Sequence, residues 1–190
     1  MRSTAEVTRT AIRSAAADTF CDRGYRAATL EEIGARVGIT RGAVLHHFGS
    51  KADLLAAVAG PFLQALSDLL DARQVADPPT STQQRAVVTD ITDLFLEHRM
   101  ALRLLVNDVA ARVELGSDGR WDAFRTRLVA LLFGDAATAS ERVSVSAALG
   151  ALCQPVAGSW LDLDDPRTRR ELIGAAVGVI DGAEPVEGVA

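Results

Sequence analysis

The chain is short of cysteine, aromatic residues and lysine, and each shortage closes off a class of protein. Cys21 and Cys153, the two cysteines among 190 residues, are too few and too distant for a disulfide framework or a clustered metal site. With no signal-peptide pattern, they point to the cytoplasm. Aromatics make up 5% of the chain, and β-branched residues never alternate over a useful stretch, so sheet-rich folds are disfavoured. No apolar run reaches the roughly eighteen residues of a bilayer span, because Arg, Asp or Gly interrupts the richest stretches every few positions. Lysine occurs once, at Lys51.

The residues that are abundant are helix formers: Ala, Leu, Arg and Glu dominate. With 48% of positions apolar and 24% charged, the chain has the composition of a folded domain rather than a disordered one. Capping boxes mark helix starts, a Ser or Thr being followed three positions later by an acid or amide. The pairs are Ser3 with Glu6, Thr29 with Glu32, Ser50 with Asp53, Ser81 with Gln84, and Thr138 with Glu141. Asp165 before Pro166 adds a further start. Gly24, Gly38, Gly116 and Gly134 supply stops, and the run Ala76-Asp77-Pro78-Pro79-Thr80 reads as a loop.

Between these marks, apolar residues at helical spacing predict an all-α protein of about nine helices. The expected inward positions are Ile12, Ala16 and Phe20 over 4–23, Leu30, Ile33 and Val37 over 30–37, and Val44 and Phe48 over 40–47. A helix over 51–73 uses Leu54, Val58, Phe62, Leu66 and Leu69, with Pro61 after Gly60 expected to kink or interrupt it. Five more helices are predicted over 82–98, 100–114 (Leu102, Leu105, Val109), 119–133, 139–156 (Val143, Ala147, Ala151) and 166–181.

The net charge of −5 is unevenly spread. Residues 1–52 hold eight basic and five acidic groups, a net +3, and the remainder holds twelve and twenty, a net −8. A basic head on an acidic body suits a protein that meets a polyanion with one end only. Within the head, residues 29–48, TLEEIGARVGITRGAVLHHF, combine a short capped helix, a glycine at a bend, a Thr at the next helix start and an apolar docking pair. That is the pattern of a helix-turn-helix, whose second helix lies in the major groove. Gly42 and Ala43 leave room for close approach, while Arg41 and His46 can reach guanine acceptors or phosphate.

From Arg9 to Leu55 the chain resembles the DNA-binding domain of the TetR family, in TRTAIRSAAADTFCDRGY, AATLEEIGARVGI, RGAVLHHF and FGSKADLL. The resemblance implies a DNA-binding domain over 1–52 and a helical ligand-binding and dimerisation domain over 53–190. It implies a cytoplasmic, ligand-responsive regulator, most often a repressor, that binds a palindromic double-stranded operator as a homodimer through its C-terminal helices and is released by a small organic effector. Carried over residue by residue, it makes Thr29 a phosphate contact and sets Thr40, Arg41 and Gly42 against bases and backbone. His46 and His47 take contact positions, and Lys51 pairs with phosphate. Where the family usually has an aromatic, most often Tyr, this chain has Leu45, which loses a phosphate bond of about 1.5–3 kcal/mol or replaces it by contact with a thymine methyl. The same resemblance puts an apolar effector cavity within 82–156, with Phe95, Trp121 and Phe124 as candidate walls.

Other features read as structural. His46, His47 and His98 lack the spacing of a zinc site, the cluster Asp162, Asp164 and Asp165 caps a helix, and no cofactor is implied. Arg99, Arg103 and Asn107 share one helix face and read as a solvated stripe. The competing class, an all-α enzyme or carrier that merely contains a helix-turn-helix, lacks a nucleophile elbow, zinc-protease motif, P-loop or dinucleotide loop.

Overall fold

A computed structural model describes residues 4–73, 79–116, 118–158 and 160–182. Ser3 and residues 76–78 of the expected loop lie outside the described residues. Those described form ten helices: α1 (Thr4–Arg23), α2 (Leu30–Arg36), α3 (Arg41–Phe48), α4 (Lys51–Asp71), α5 (Ser81–Glu97), α6 (Arg99–Asn107), α7 (Val109–Leu115), α8 (Asp118–Phe133), α9 (Ala139–Ala157) and α10 (Pro166–Asp181). Two compact units divide them. The first takes residues up to Leu63 together with Met100–Asp118, and the second takes Gln64–Arg99 and Gly119 onward.

The first unit is organised by the α1 face read from the sequence, with Ile12, Ala16 and Phe20 all buried. Leu30 and Ile33 of α2, Val44 and Phe48 of α3, Leu54, Leu55 and Val58 of α4, and Leu104 and Ala111 complete one apolar cluster. Thr29 caps α2 in a full capping box with Glu32. At α5 the cap lies one residue earlier than the spacing suggests, on Thr80 with Gln83. Pro61, which is exposed, does not interrupt α4, which continues to Asp71. By length and mean hydropathy α4 also matches a bilayer span, but Leu54, Leu55, Ala59, Phe62 and Leu66 are buried in the protein. It is a core helix.

Two expectations about the later helices are corrected. The segment 100–114 is two helices, because Asp108 leaves helical geometry and caps α7, accepting the Ala111 N–H at 3.0 Å. Val109, expected inward, is therefore 61% exposed. On α9 the inward stripe is Val145, Ala148, Leu149 and Leu152, whereas Val143 is 67% exposed and Ala147 is exposed as well. That helix is apolar on several faces, and packing with α5 and α10 selects the stripe that buries more. Within the second unit a bidentate pair joins Arg169 of α10 to Asp93 of α5 at 2.5 and 2.7 Å.

Candidate nucleic-acid interface

The interface is assembled from α2, α3 and the start of α4, and its turn depends on two glycines. Gly34 sits inside α2 where an added Cβ would lie 2.6 Å from the Ile39 carbonyl oxygen. Its absence lets the chain fold back so that the Ile39 N–H donates to the Gly34 carbonyl at 2.9 Å. Gly38, at φ +72°, takes the left-handed conformation that reverses the chain. A glycine in mid-helix was the available signal for Gly34, although the sequence reading singled out only Gly38.

Beyond the turn, Thr40 caps α3 by accepting the Ala43 N–H at 3.2 Å. Val44 and Phe48 are buried against α1 and α2. With that face fixed inward, helical geometry sends Gly42 and His46 to the opposite side, while Arg41, three residues before Val44, stands at the helix start and Leu45 at the edge of the buried face. Arg41, Gly42 and His46 are exposed. Around Gly42 only the Thr40 hydroxyl comes within 4 Å of where a Cβ would stand, so another molecule's backbone can approach closely. Leu45 is half-buried and packs against the apolar cluster. Part of the side chain that replaces the usual aromatic is thus engaged in packing.

Charged and polar groups frame this face. The Arg41 Nε lies 3.4 Å from a Glu31 carboxylate oxygen, both side chains being about three-fifths exposed. A pair so exposed is weak and can be given up when phosphate is offered. The Thr29 N–H donates to Glu32 at 3.0 Å, and that bond is the main reason the Glu32 carboxyl is held below the usual carboxylate range. His46 and His47 meet edge to face, ring centroids 5.8 Å apart.

Lys51 opens α4 in a seat built by the loop after α1. Its Nζ donates to the Arg26 carbonyl at 3.1 Å and stands 4.7 Å from the centre of the Tyr25 ring. Burial lowers the pKa of this ammonium, with Asp108, Glu114 and Glu32 opposing. Tyr25 is itself anchored, edge to face on Phe20 at 5.5 Å and through its N–H to the Asp108 carboxylate at 2.5 Å. Arg9 was missed in the sequence. Its guanidinium lies 4.1 Å from the centre of the Phe48 ring and donates to the His47 carbonyl, a cation placed at the carbonyl end of α3.

Thr29, Thr40, Arg41, Gly42, Leu45, His46, His47 and Lys51 therefore lie at three helix starts and along α3 within a single unit. Residues 12–58 match the family model described as bacterial regulatory proteins, tetR family. The chain is 32% identical over 163 residues to the HTH-type transcriptional activator FasR of Mycolicibacterium smegmatis, covering 80% of this chain and 71% of that one. The chain belongs to the TetR family. It is similar, at 34% identity over 52% of its length and 47% of the relative's, to the HTH-type transcriptional repressor KstR2 of the same species. The fold of this TetR-family chain is shared with AibR in complex with isovaleryl coenzyme A and operator DNA, at a TM-score of 0.67 and 18% identity over 90% of this chain and 97% of AibR. It is a DNA-binding transcriptional regulator, not an enzyme.

Two of the three candidate effector walls, Phe95 and Phe124, are buried, and Trp121 is half-buried between them. The rings stack at centroid distances of 6.4 Å for Phe95 and Trp121 and 5.2 Å for Trp121 and Phe124. Where α5, α8, α9 and α10 meet around Val88, Leu128 and Leu149, the space is about 10 Å³, less than the effector cavity expected within 82–156 requires. A small molecule entering there has to displace side chains.

Proposed function

We propose that this protein is a cytoplasmic repressor that binds a palindromic operator as a homodimer and is released by a small organic effector. The observation that carries the reading is the outward face of α3, where Arg41 and His46 flank the bare backbone of Gly42. Its N-terminal residues address base edges, while Thr29 and Lys51 neutralise or bind phosphate to either side. One helix of this length reads only a few base pairs, so two copies with recognition helices roughly 34–36 Å apart, or a near multiple, supply specificity. The outward sides of α9 and α10 favour a dimer seam there, since Val143, Ala147 and Gly150 on one and Gly174, Ala175 and Gly178 on the other are exposed.

The AibR complex supports an organic effector, and the stacked Phe95, Trp121 and Phe124 are its walls in this reading. The similarity to FasR, named as an activator, favours a second reading in which the same bound dimer recruits polymerase instead of excluding it. The deciding experiment is a gel shift on the region upstream of the protein's own gene, followed by transcription in vitro from the shifted fragment. Repression predicts a salt-sensitive shift on one palindrome and less transcript. In the same assay Arg41→Ala should cost about 1–3 kcal/mol on the operator and relax preference at one base pair. Lys51→Ala should weaken binding to every sequence alike. No preference over random DNA would refute the proposal, and more transcript would establish the activator reading.

A further inference from the structure

The arginine and asparagine stripe read from the sequence as solvent-facing divides in the structure. Arg99 pairs with Asp164 at 2.9 Å. Arg103 and Asn107 instead line a cleft of about 310 Å³ inside the first unit, with Phe20 and Cys21 of α1, Leu104 and Asp108. That volume falls at the lower end of small-molecule sites, near 300 Å³.

Most polar groups around the cleft already have partners. The Asp108 oxygens accept the Tyr25 N–H at 2.5 Å and the Ala111 N–H at 3.0 Å. The Cys21 thiol donates to the Met100 carbonyl at 3.5 Å. Asp22, next to Cys21 on α1, is paired with Arg36 at 3.3 Å, and Asp18 is exposed on the same helix. Among the described residues, the half-buried guanidinium of Arg103 and the amide of Asn107 have no such partner. They stand four positions apart on α6, hence on one side of it. A guanidinium is a planar fork that matches a carboxylate through two parallel hydrogen bonds.

We propose that this cleft binds a small monocarboxylate, its carboxylate on Arg103 and Asn107 and its compact apolar body against Phe20 and Leu104. The site is separate from Phe95, Trp121 and Phe124 and goes beyond the effector reading above. One cation and this volume suit a short-chain or single-ring acid rather than a nucleotide or a long acyl thioester.

Cys21 gives a reporter inside the cleft, and Cys153 is buried. Burial pushes the Cys21 thiol up to about 11, so iodoacetamide labelling is run at one mildly alkaline pH and read peptide by peptide by mass spectrometry. Benzoate and hexanoate are the probes, with benzamide and hexanamide as uncharged counterparts. At millimolar concentration the acids should slow Cys21 labelling saturably and the amides should not. Arg103→Gln should weaken the acids by about tenfold or more. Asn107→Ala, at an exposed position, should weaken them less and carries the test if Arg103→Gln does not fold. Failure of both acids to protect Cys21, equal protection by the amides, or unchanged protection in folded Arg103→Gln overturns the proposal.

Discussion

Asp108 ties three parts of the first unit together through one carboxylate. It ends α6, caps α7 and holds the Tyr25 N–H of the loop on which Lys51 rests. Removing a cap costs about 1 kcal/mol, and leaving a part-buried N–H without an acceptor costs about 1–3 kcal/mol. Asp108→Ala should therefore lower the urea midpoint by the equivalent of about 2–4 kcal/mol at unchanged m-value, with Asp108→Asn costing less because one acceptor survives. An unmoved midpoint in Asp108→Ala would show that these bonds contribute nothing net. The cap on α7 is local, but the bond to Tyr25 is not, since Tyr25 and Asp108 lie 83 positions apart. Thr29 with Glu32 and Thr138 with Glu141, by contrast, are bonds between neighbours on one turn, and spacing alone locates them.

At the scale of helices, the stretch from α1 to α3 is legible because each of the three has one apolar face, and α2 and α3 each open on a capping threonine. Helix α9 is not, because Val143, Ala147 and Ala151 form as regular a stripe as Val145, Ala148 and Leu152. Only the partner helices α5 and α10 decide between them. The stripe left outside is the proposed dimer seam. A charge placed there, Ala147→Glu, should leave helix content by circular dichroism unchanged and shift sedimentation toward the monomer. Operator affinity should fall with it, because each half-site is then read alone. A dimer persisting in Ala147→Glu would move the seam elsewhere. The break at Asp108 was hidden for a related reason: apolar periodicity runs across it from Leu102 to Val109, and an aspartate in mid-pattern is more often a solvated position than a cap.

For the whole molecule, the motif between residues 29 and 48 and the charge contrast carried the family and the DNA-facing end. The ring stack and the cleft arise from contacts between distant helices. By linkage, any effector that lowers operator affinity must bind more weakly to the DNA-bound protein, by the same factor. Lys51, held by the Arg26 carbonyl and the Tyr25 ring, brings this end into view in a different way. As the chain's one lysine it is also its one side-chain amine, so an amine-directed acyl reagent has a single internal target. Its lowered pKa supplies more of the free base than an ordinary lysine offers. Bound operator should shield it, and acylation, which removes the charge, should weaken binding to every sequence. A lysine-specific protease has the same single target, at the junction of α3 and α4. The rate of that one cleavage, with and without DNA, should measure operator occupancy without any label; equal rates in both conditions would place Lys51 away from the phosphates.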